Sequence, residues 1–273
     1  MRSCLVPVLV AVLLALAPAR PEAWGPDGHR IVARIALAHL TPRARLEIER
    51  VLAGDDFIEA ANWADQVRGD RPETYNWHFV DVPYGIDEYD PARDCPQLEG
   101  GDCVLAAIDR LRVVLGDPTA DRLRRVEALK YLIHFVGDMH QPLHSITNAD
   151  RGGNDVLVDL GGEQPSNLHA VWDRALVARR NLDEASFAKT LLDQLAERPT
   201  AAGPVDPRAW ALESHAVAEQ VVYRFPEFTP GRPPPRPITL DAAYWERAAP
   251  IVDQQLTRGG IRLAALLNAI FPG

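Results

Sequence analysis

Between Tyr131 and His144 the chain reads YLIHFVGDMHQPLH, which sets His134 and Asp138 four residues apart. On a helix that spacing stacks imidazole and carboxylate on one face, about one turn from each other. His144 follows just past Pro142, and a proline there ends or kinks a helix and turns the chain toward its exposed end. The spacing recurs in NLHAVWD, where His169 and Asp173 are again four apart. Imidazole nitrogens and carboxylate oxygens are the donors that a divalent zinc ion takes. One such pair on an apolar helix is more often structural, whereas two pairs with a flanking histidine point to metal.

Further donors lie near expected helix ends and loops: His29, Asp65 in NWADQVR and His78 in YNWHFVD. Together with His134, Asp138, His144, His169 and Asp173 they exceed one tetrahedral site and suit two or three metals sharing a carboxylate. His140, two residues beyond Asp138, points off that face and is expected to support the centre from behind. His39 and His215 are expected to be structural. Trp63, Trp77 and Trp172 each neighbour a donor and are expected to wall the site, packing alone being the alternative.

The elements that must hold these residues read as helices. His29–Leu40 is apolar at helical spacing, with Asp27 as its expected N-cap, and Thr41-Pro42 supplies the N-cap and first position of a helix reaching about Leu52. Cys103–Leu115, Leu123–Gly137, His169–Arg179, Asp183–Glu197, Pro207–Tyr223 and Leu240–Phe271 continue the set, the last expected to break at Gly259-Gly260. Only Asp155–Asp159 alternates like a strand, half of a short hairpin. The proline-rich 230–237 stretch is short and reads as a surface loop. The expectation is one all-α domain over 24–273 with at most that hairpin.

Residues 1–23 are different in kind. Arg2 precedes an apolar run from Leu5 to Ala17 and then small residues, the pattern of a secretory signal peptide and too short for a membrane span. Cleavage is consistent with a cut after Ala19 (Ala-Pro-Ala) or after Ala23 (Pro-Glu-Ala), and the Ala-x-Ala rule prefers the first. Export to a periplasm or the exterior, with no membrane anchor left after cleavage, makes a local disulfide between Cys95 and Cys103 the expectation, two free thiols being the alternative. No Asn-x-Ser/Thr acceptor occurs, which suits a bacterial exported protein. Net charge is −9, and −10 without residues 1–23. That balance argues against a duplex-gripping protein with a basic face, but not against a phosphodiester substrate at a centre whose ions reverse the local field.

In order and approximate spacing, AWGPDGHRIVA, NWADQVR, YNWHFVD, HFVGDMHQPLH, GGND and NLHAVWD resemble the S1/P1 nuclease family. The motifs run from Trp24 to Asp173, and the helical remainder is compatible. The resemblance implies a trinuclear zinc enzyme that cleaves single-stranded DNA and RNA to 5′-phosphorylated products, often with 3′-nucleotidase activity, with no obligate protein partner. Carried over by position, it implies one zinc on Asp65, His78, His134 and Asp138, and a second on His144, His169 and Asp173. The third would sit on His29, Asp138 and the α-amino group and carbonyl oxygen of Trp24. A chain beginning at Trp24 is therefore expected, against the simpler cleavage pattern, because an amine of ordinary pKa about 7.7–8.0 yields its proton to zinc near neutrality.

The resemblance further implies a hydroxide nucleophile beside Asp65, a phosphate-binding Arg68 and a polar Asn154 near the phosphate. Phe79 would stack on a base and Asp81 would accept from its edge. The facing wall, from Ile146 to Arg151, does not map. Two rivals stand beside this reading. Zinc-dependent phospholipase C shares the fold and most ligands, but His29 lies only five residues from Trp24, and Asp173 stands where that resemblance leads one to expect Glu. A secreted zinc-binding protein without catalysis would need neither Arg68 nor open coordination positions.

Overall fold

The computed structural model describes residues 24–162 and 164–273. The apolar leader and its two cleavage points lie outside the described residues. Helices carry the architecture: α1 (Pro26–His39), α2 (Pro42–Leu52), α3 (Trp63–Val67), α4 (Pro91–Asp94), α5 (Val104–Gly116) and α6 (Arg122–Met139). After them come α7 (Leu168–Ala170), α8 (Leu176–Ala178), α9 (Glu184–Glu197), α10 (Pro207–Val217) and α11 (Ala242–Ile270). Tight 3₁₀ turns at Glu59–Asn62, Pro72–His78 and Pro142–His144 fill the gaps around the centre. The expected hairpin consists of β1 (Leu157–Val158) antiparallel to β2 (Ser166–Asn167), so the fold is all-α as read.

Local chemistry explains most helix starts. The side chains of Thr41, Asp121, Asp183, Asp206 and Asp241 each accept a backbone N–H at the first turn of α2, α6, α9, α10 and α11. The expected cap of α1 is wrong. Gly25 occupies that position without a side-chain bond, Pro26 opens the helix, and Asp27 sits inside the first turn. Gly25 is held instead by donating its N–H to the carbonyl of Asp173 at 2.9 Å, a tertiary anchor that no local pattern encodes.

Helix α1 packs between α11, α9 and α6, and α5 lies along α6. Ile31, Val32 and Ile35 of α1, Leu132, Ile133 and Val136 of α6, and Leu256, Leu263 and Leu267 of α11 meet in one buried core. Helix α6 ends in this core, with every residue from Tyr131 to Met139 buried. Its His134 and Asp138 are thus polar groups sunk in an apolar setting, a costly placement unless they are partnered.

Three further expectations fail. Helix α11 does not break at Gly259-Gly260 but runs through both glycines and through Pro250. A Cβ on Gly260 would lie 2.4 Å from the Ile35 side chain, so the glycines form a notch for α1 and the burial gained there offsets their poor helix propensity. The expected helix at His169–Arg179 is also not regular. It opens as α7, widens into a π turn at Val171–Ala175 and resumes as α8. The helix expected over Pro207–Tyr223 likewise turns from α to π at Ala218–Val222.

Candidate metal centre

Eight predicted donors come together in two adjoining clusters. In the first, Asp138 is the hub. Its Oδ1 lies 3.3 Å from His29 Nε2, while its Oδ2 lies 3.0 Å from His78 Nδ1 and 3.3 Å from His134 Nε2. Asp65, on short α3, brings Oδ1 to 3.6 Å from His134 Nε2 and 3.8 Å from His78 Nδ1. The two oxygens of one carboxylate thus serve two neighbouring donor sets, His29/His134/Asp138 and Asp65/His78/His134. The His29 and His134 rings stack at 3.8 Å. Gly137 makes that possible, since a Cβ there would press on His29 Nδ1 at 2.9 Å.

The second cluster is His144, His169 and Asp173. Pro142 ends the helical path after α6, as its chemistry requires, and the following 3₁₀ turn delivers His144. Asp173 sits in the middle of the π turn, with Oδ2 3.5 Å from His169 Nε2. Gln141 donates from Nε2 to the other oxygen of Asp173 and accepts from Leu143 N–H. Trp24 is fully buried beside Gly25, which Asp173 anchors.

Carbonyls behind the rings fix which nitrogen faces inward. His134, His144 and His169 each donate Nδ1–H to a backbone oxygen, those of Ala61 (2.6 Å), His78 (2.7 Å) and Gly152 (2.7 Å). With Nδ1 committed, the neutral rings of His144 and His169 carry bare acceptors at Nε2, and these face each other at 3.0 Å. Burial strips protons from these rings, pulling His29 and His144 below the ordinary value, His78 to about 4 and His169 to about 3. His134 differs: burial opposes its charge too, but the carboxylates of Asp138 and Asp65 outweigh it and hold the ring at about 9. Burial pushes Asp173 well above the carboxylate range despite the Gln141 bond. Converging lone pairs, together with buried and unpartnered atoms at His29 Nε2, Asp65 Oδ1 and Asp138 Oδ1, suit divalent cations. Imidazole with carboxylate is a zinc donor set.

A cleft of about 140 Å³ adjoins the second cluster, and His144 and His169 form part of its wall. Arg68, Phe79, Asp81 and Asn154, each singled out in the sequence, share it. Arg68 is buried and donates from Nη2 to Tyr75 O. Phe79 is half-buried, with Val80 N–H bonded to His144 O and Val104 N–H to Phe79 O on either side of it. Asp81 stays open to solvent, yet protein crowding, then the charges of Asp150 and Asp94, raise its carboxyl to about 6. Asn154 gives one amide hydrogen to Arg151 O at 2.8 Å.

Other predicted residues stand elsewhere. His140 does not back the centre: it donates Nδ1–H to Val136 O and accepts from Arg262, across the helix from Asp138. His39 bonds Ile35 O and His215 bonds Pro83 O, both structural as read. Trp63 and Trp77 pack edge-on to Tyr131, and Trp172 donates to Tyr244. The Cys95–Cys103 disulfide is formed, with S–S 1.96 Å. Sequence reasoning missed Tyr75, whose ring lies under the Arg68 guanidinium at 4.1 Å and edge-on to Phe79 at 6.3 Å. It also missed Gln141. The glutamine sits inside the motif, but nothing in its spacing announces the bond to Asp173.

A family model described as S1/P1 nuclease matches residues 24–272 of this chain. The chain belongs to the S1/P1 nuclease family. Endonuclease 2 of Arabidopsis thaliana is 30% identical over 97% of this chain and 97% of its own length. Nuclease P1 of Penicillium citrinum is 29% identical over 90% of this chain and 97% of its own, and nuclease S1 of Aspergillus oryzae 29% over 90% and 91%. As an S1/P1 nuclease-family enzyme, the protein presents His144 and His169 of its second cluster on the wall of a cleft. Among the described residues no helix is long and apolar enough to cross a membrane.

Proposed function

We propose that this protein is an exported trinuclear-zinc endonuclease that cleaves single-stranded DNA and RNA to 5′-phosphorylated products and removes the phosphate of 3′-nucleotides. The carrying observation is that donor sets gather on both oxygens of Asp138 and on His144/His169/Asp173, and that His144 and His169 of the second set wall a cleft joining a buried arginine to an aromatic ring. One zinc would be held by Asp65, His78, His134 and Asp138, one by His144, His169 and Asp173, and one by His29, Asp138 and the amine and carbonyl of Trp24. Bound zinc supplies Lewis acidity, neutralising phosphate charge and lowering the pKa of water toward about 7.

The chain's own groups supply the rest. Arg68 donates to a non-bridging phosphate oxygen, where charge grows as phosphorus is attacked. Asp65, its carboxylate still reachable from solvent, orients the attacking water and accepts its hydrogen bond. Asn154 keeps a second amide hydrogen to direct at phosphate. Phe79 stacks on an unpaired base, while Asp81 accepts from the base edge. A stacked duplex offers neither contact, so single strands are preferred. Export is supported by the leader at 1–23 and by a family match that starts at residue 24, and the mature chain begins at Trp24.

The test incubates exported, zinc-loaded protein with single-stranded DNA, RNA, 3′-AMP and a phosphatidylcholine emulsion, alongside N-terminal sequencing and a zinc count. A Trp24 start, three zincs and 5′-phosphorylated products are expected, and Arg68→Ala should lower kcat by about 10²–10³-fold with zinc content unchanged. Hydrolysis of lipid alone, or a chain starting at Arg20 with two zincs, contradicts the proposal.

A further inference from the structure

The chain from Asn148 to Asp155 is a loop of unusual backbone. Ala149, Arg151, Gly152 and Gly153 all have positive φ, 56°, 54°, 59° and 79°. For alanine and arginine that conformation is strained and persists only where surrounding bonds over-determine it. A side chain is excluded at Gly152, since its Cβ would lie 2.5 Å from Leu143 O.

One buried carboxylate determines the loop. Asp150 is fully buried and accepts from Gly153 N–H at 3.1 Å, Asn148 N–H at 3.3 Å and the Tyr223 hydroxyl at 2.9 and 3.0 Å. Asp155 N–H closes the loop on Asp150 O at 3.0 Å. Tyr223 is itself buried at the end of the π turn Ala218–Val222, far along the chain. The loop then holds His169 twice: Gly152 O accepts from its Nδ1–H at 2.7 Å and Gly153 O from its backbone N–H at 3.4 Å. The same loop carries Arg151 and Asn154 into the cleft wall.

We infer that Asp150 and Tyr223 are positioning residues for the second metal site, acting through the Gly152 carbonyl to aim His169 Nε2. The inference rests on the proposed reading that His144, His169 and Asp173 hold zinc. Carbonyls that orient a metal-bound imidazole act on affinity: removing such support weakens metal binding about 10–100-fold. Tyr223→Phe deletes one hydroxyl and keeps the ring. Asp150→Asn keeps the shape but turns an acceptor of three donors into a group with two donors of its own.

The experiment is a chelator titration of zinc-loaded wild type, Tyr223→Phe, Asp150→Asn and Leu267→Ala, with zinc counted per chain and Tm recorded. Leu267 is buried on α11, so its truncation lowers stability without touching the loop. The expected result is that one zinc leaves Tyr223→Phe and Asp150→Asn at chelator concentrations about 10–100-fold lower than in wild type, while the other two stay. Leu267→Ala should release its zinc as wild type does, and in a His169→Ala background Tyr223→Phe should cause no further loss. Tyr223→Phe releasing zinc as wild type does, with only Tm lowered, overturns the inference. Should Asp150→Asn not fold, Tyr223→Phe decides alone. A wild type that binds no zinc overturns the metal reading and this inference together.

Discussion

At the residue scale, a carboxylate with each oxygen turned to a different histidine set cannot be replaced by a neutral isostere without affecting both. Asp138→Asn should reduce zinc from three per chain to one, the survivor belonging to His144/His169/Asp173, as measured by metal analysis of folded protein. Asp81 makes a different prediction, in pH. Its carboxyl is raised to about 6 by desolvation first and then by Asp150 and Asp94, so it becomes a full acceptor only above that value. KM for single-stranded oligonucleotides should therefore rise as pH falls from 7 to 5, and Asp81→Asn should flatten that limb. Because the folded pKa lies above the ordinary one, ionisation costs stability, and the same variant should gain stability relative to wild type above pH 6 and lose that advantage below it. Which residues could ligate was legible in the sequence, because few side chain types do this chemistry and helical spacing already pairs two sets of them, and the fold gathers them into groups that could hold metal. Tyr75, Gln141 and Asp150 were not, since a tyrosine, a glutamine or one more aspartate acquires a role only from what the fold sets against it.

At the element scale, local signals marked starts and stops, and tertiary contacts overrode them at informative places. Five side-chain caps and the proline after α6 followed from local chemistry. The cap of α1 did not, because Gly25 is fixed by Asp173 from a distant part of the chain. Gly259-Gly260 carries the same local signal whether it ends a helix or receives a neighbour, and only the presence of Ile35 distinguishes the two. Gly260→Ala should therefore destabilise the fold by about 1–3 kcal/mol through overpacking, read as a lower midpoint in urea, despite alanine's better helix propensity. Two π turns, at Val171–Ala175 and Ala218–Val222, interrupt the expected helices where Asp173 and Tyr223 are delivered. Periodicity could not reveal them, since one widened turn shifts a residue's direction without changing the apolar pattern.

At the scale of the whole molecule, the proposed ions join segments distant along the chain: the start of α1, α3, the 3₁₀ turn at His78, the end of α6 and the π turn after α7. Zinc held there would be a structural tie as well as a cofactor. At 100-fold excess over Kd each independent ion contributes about 2.7 kcal/mol, and a domain of this size shifts by about 2–4 °C per kcal/mol. Chelation should lower Tm by about 15 °C or more, and added zinc should restore it, as scanning calorimetry would show. The shared carboxylate of Asp138 carries this further. An ion on one of its oxygens would hold the side chain in the orientation that the other oxygen needs, so each ion would favour the arrival of its neighbour. When zinc is scarce, the population should divide into molecules with both neighbouring ions and molecules with neither, and the enzyme would fade by headcount rather than by every copy working at half strength.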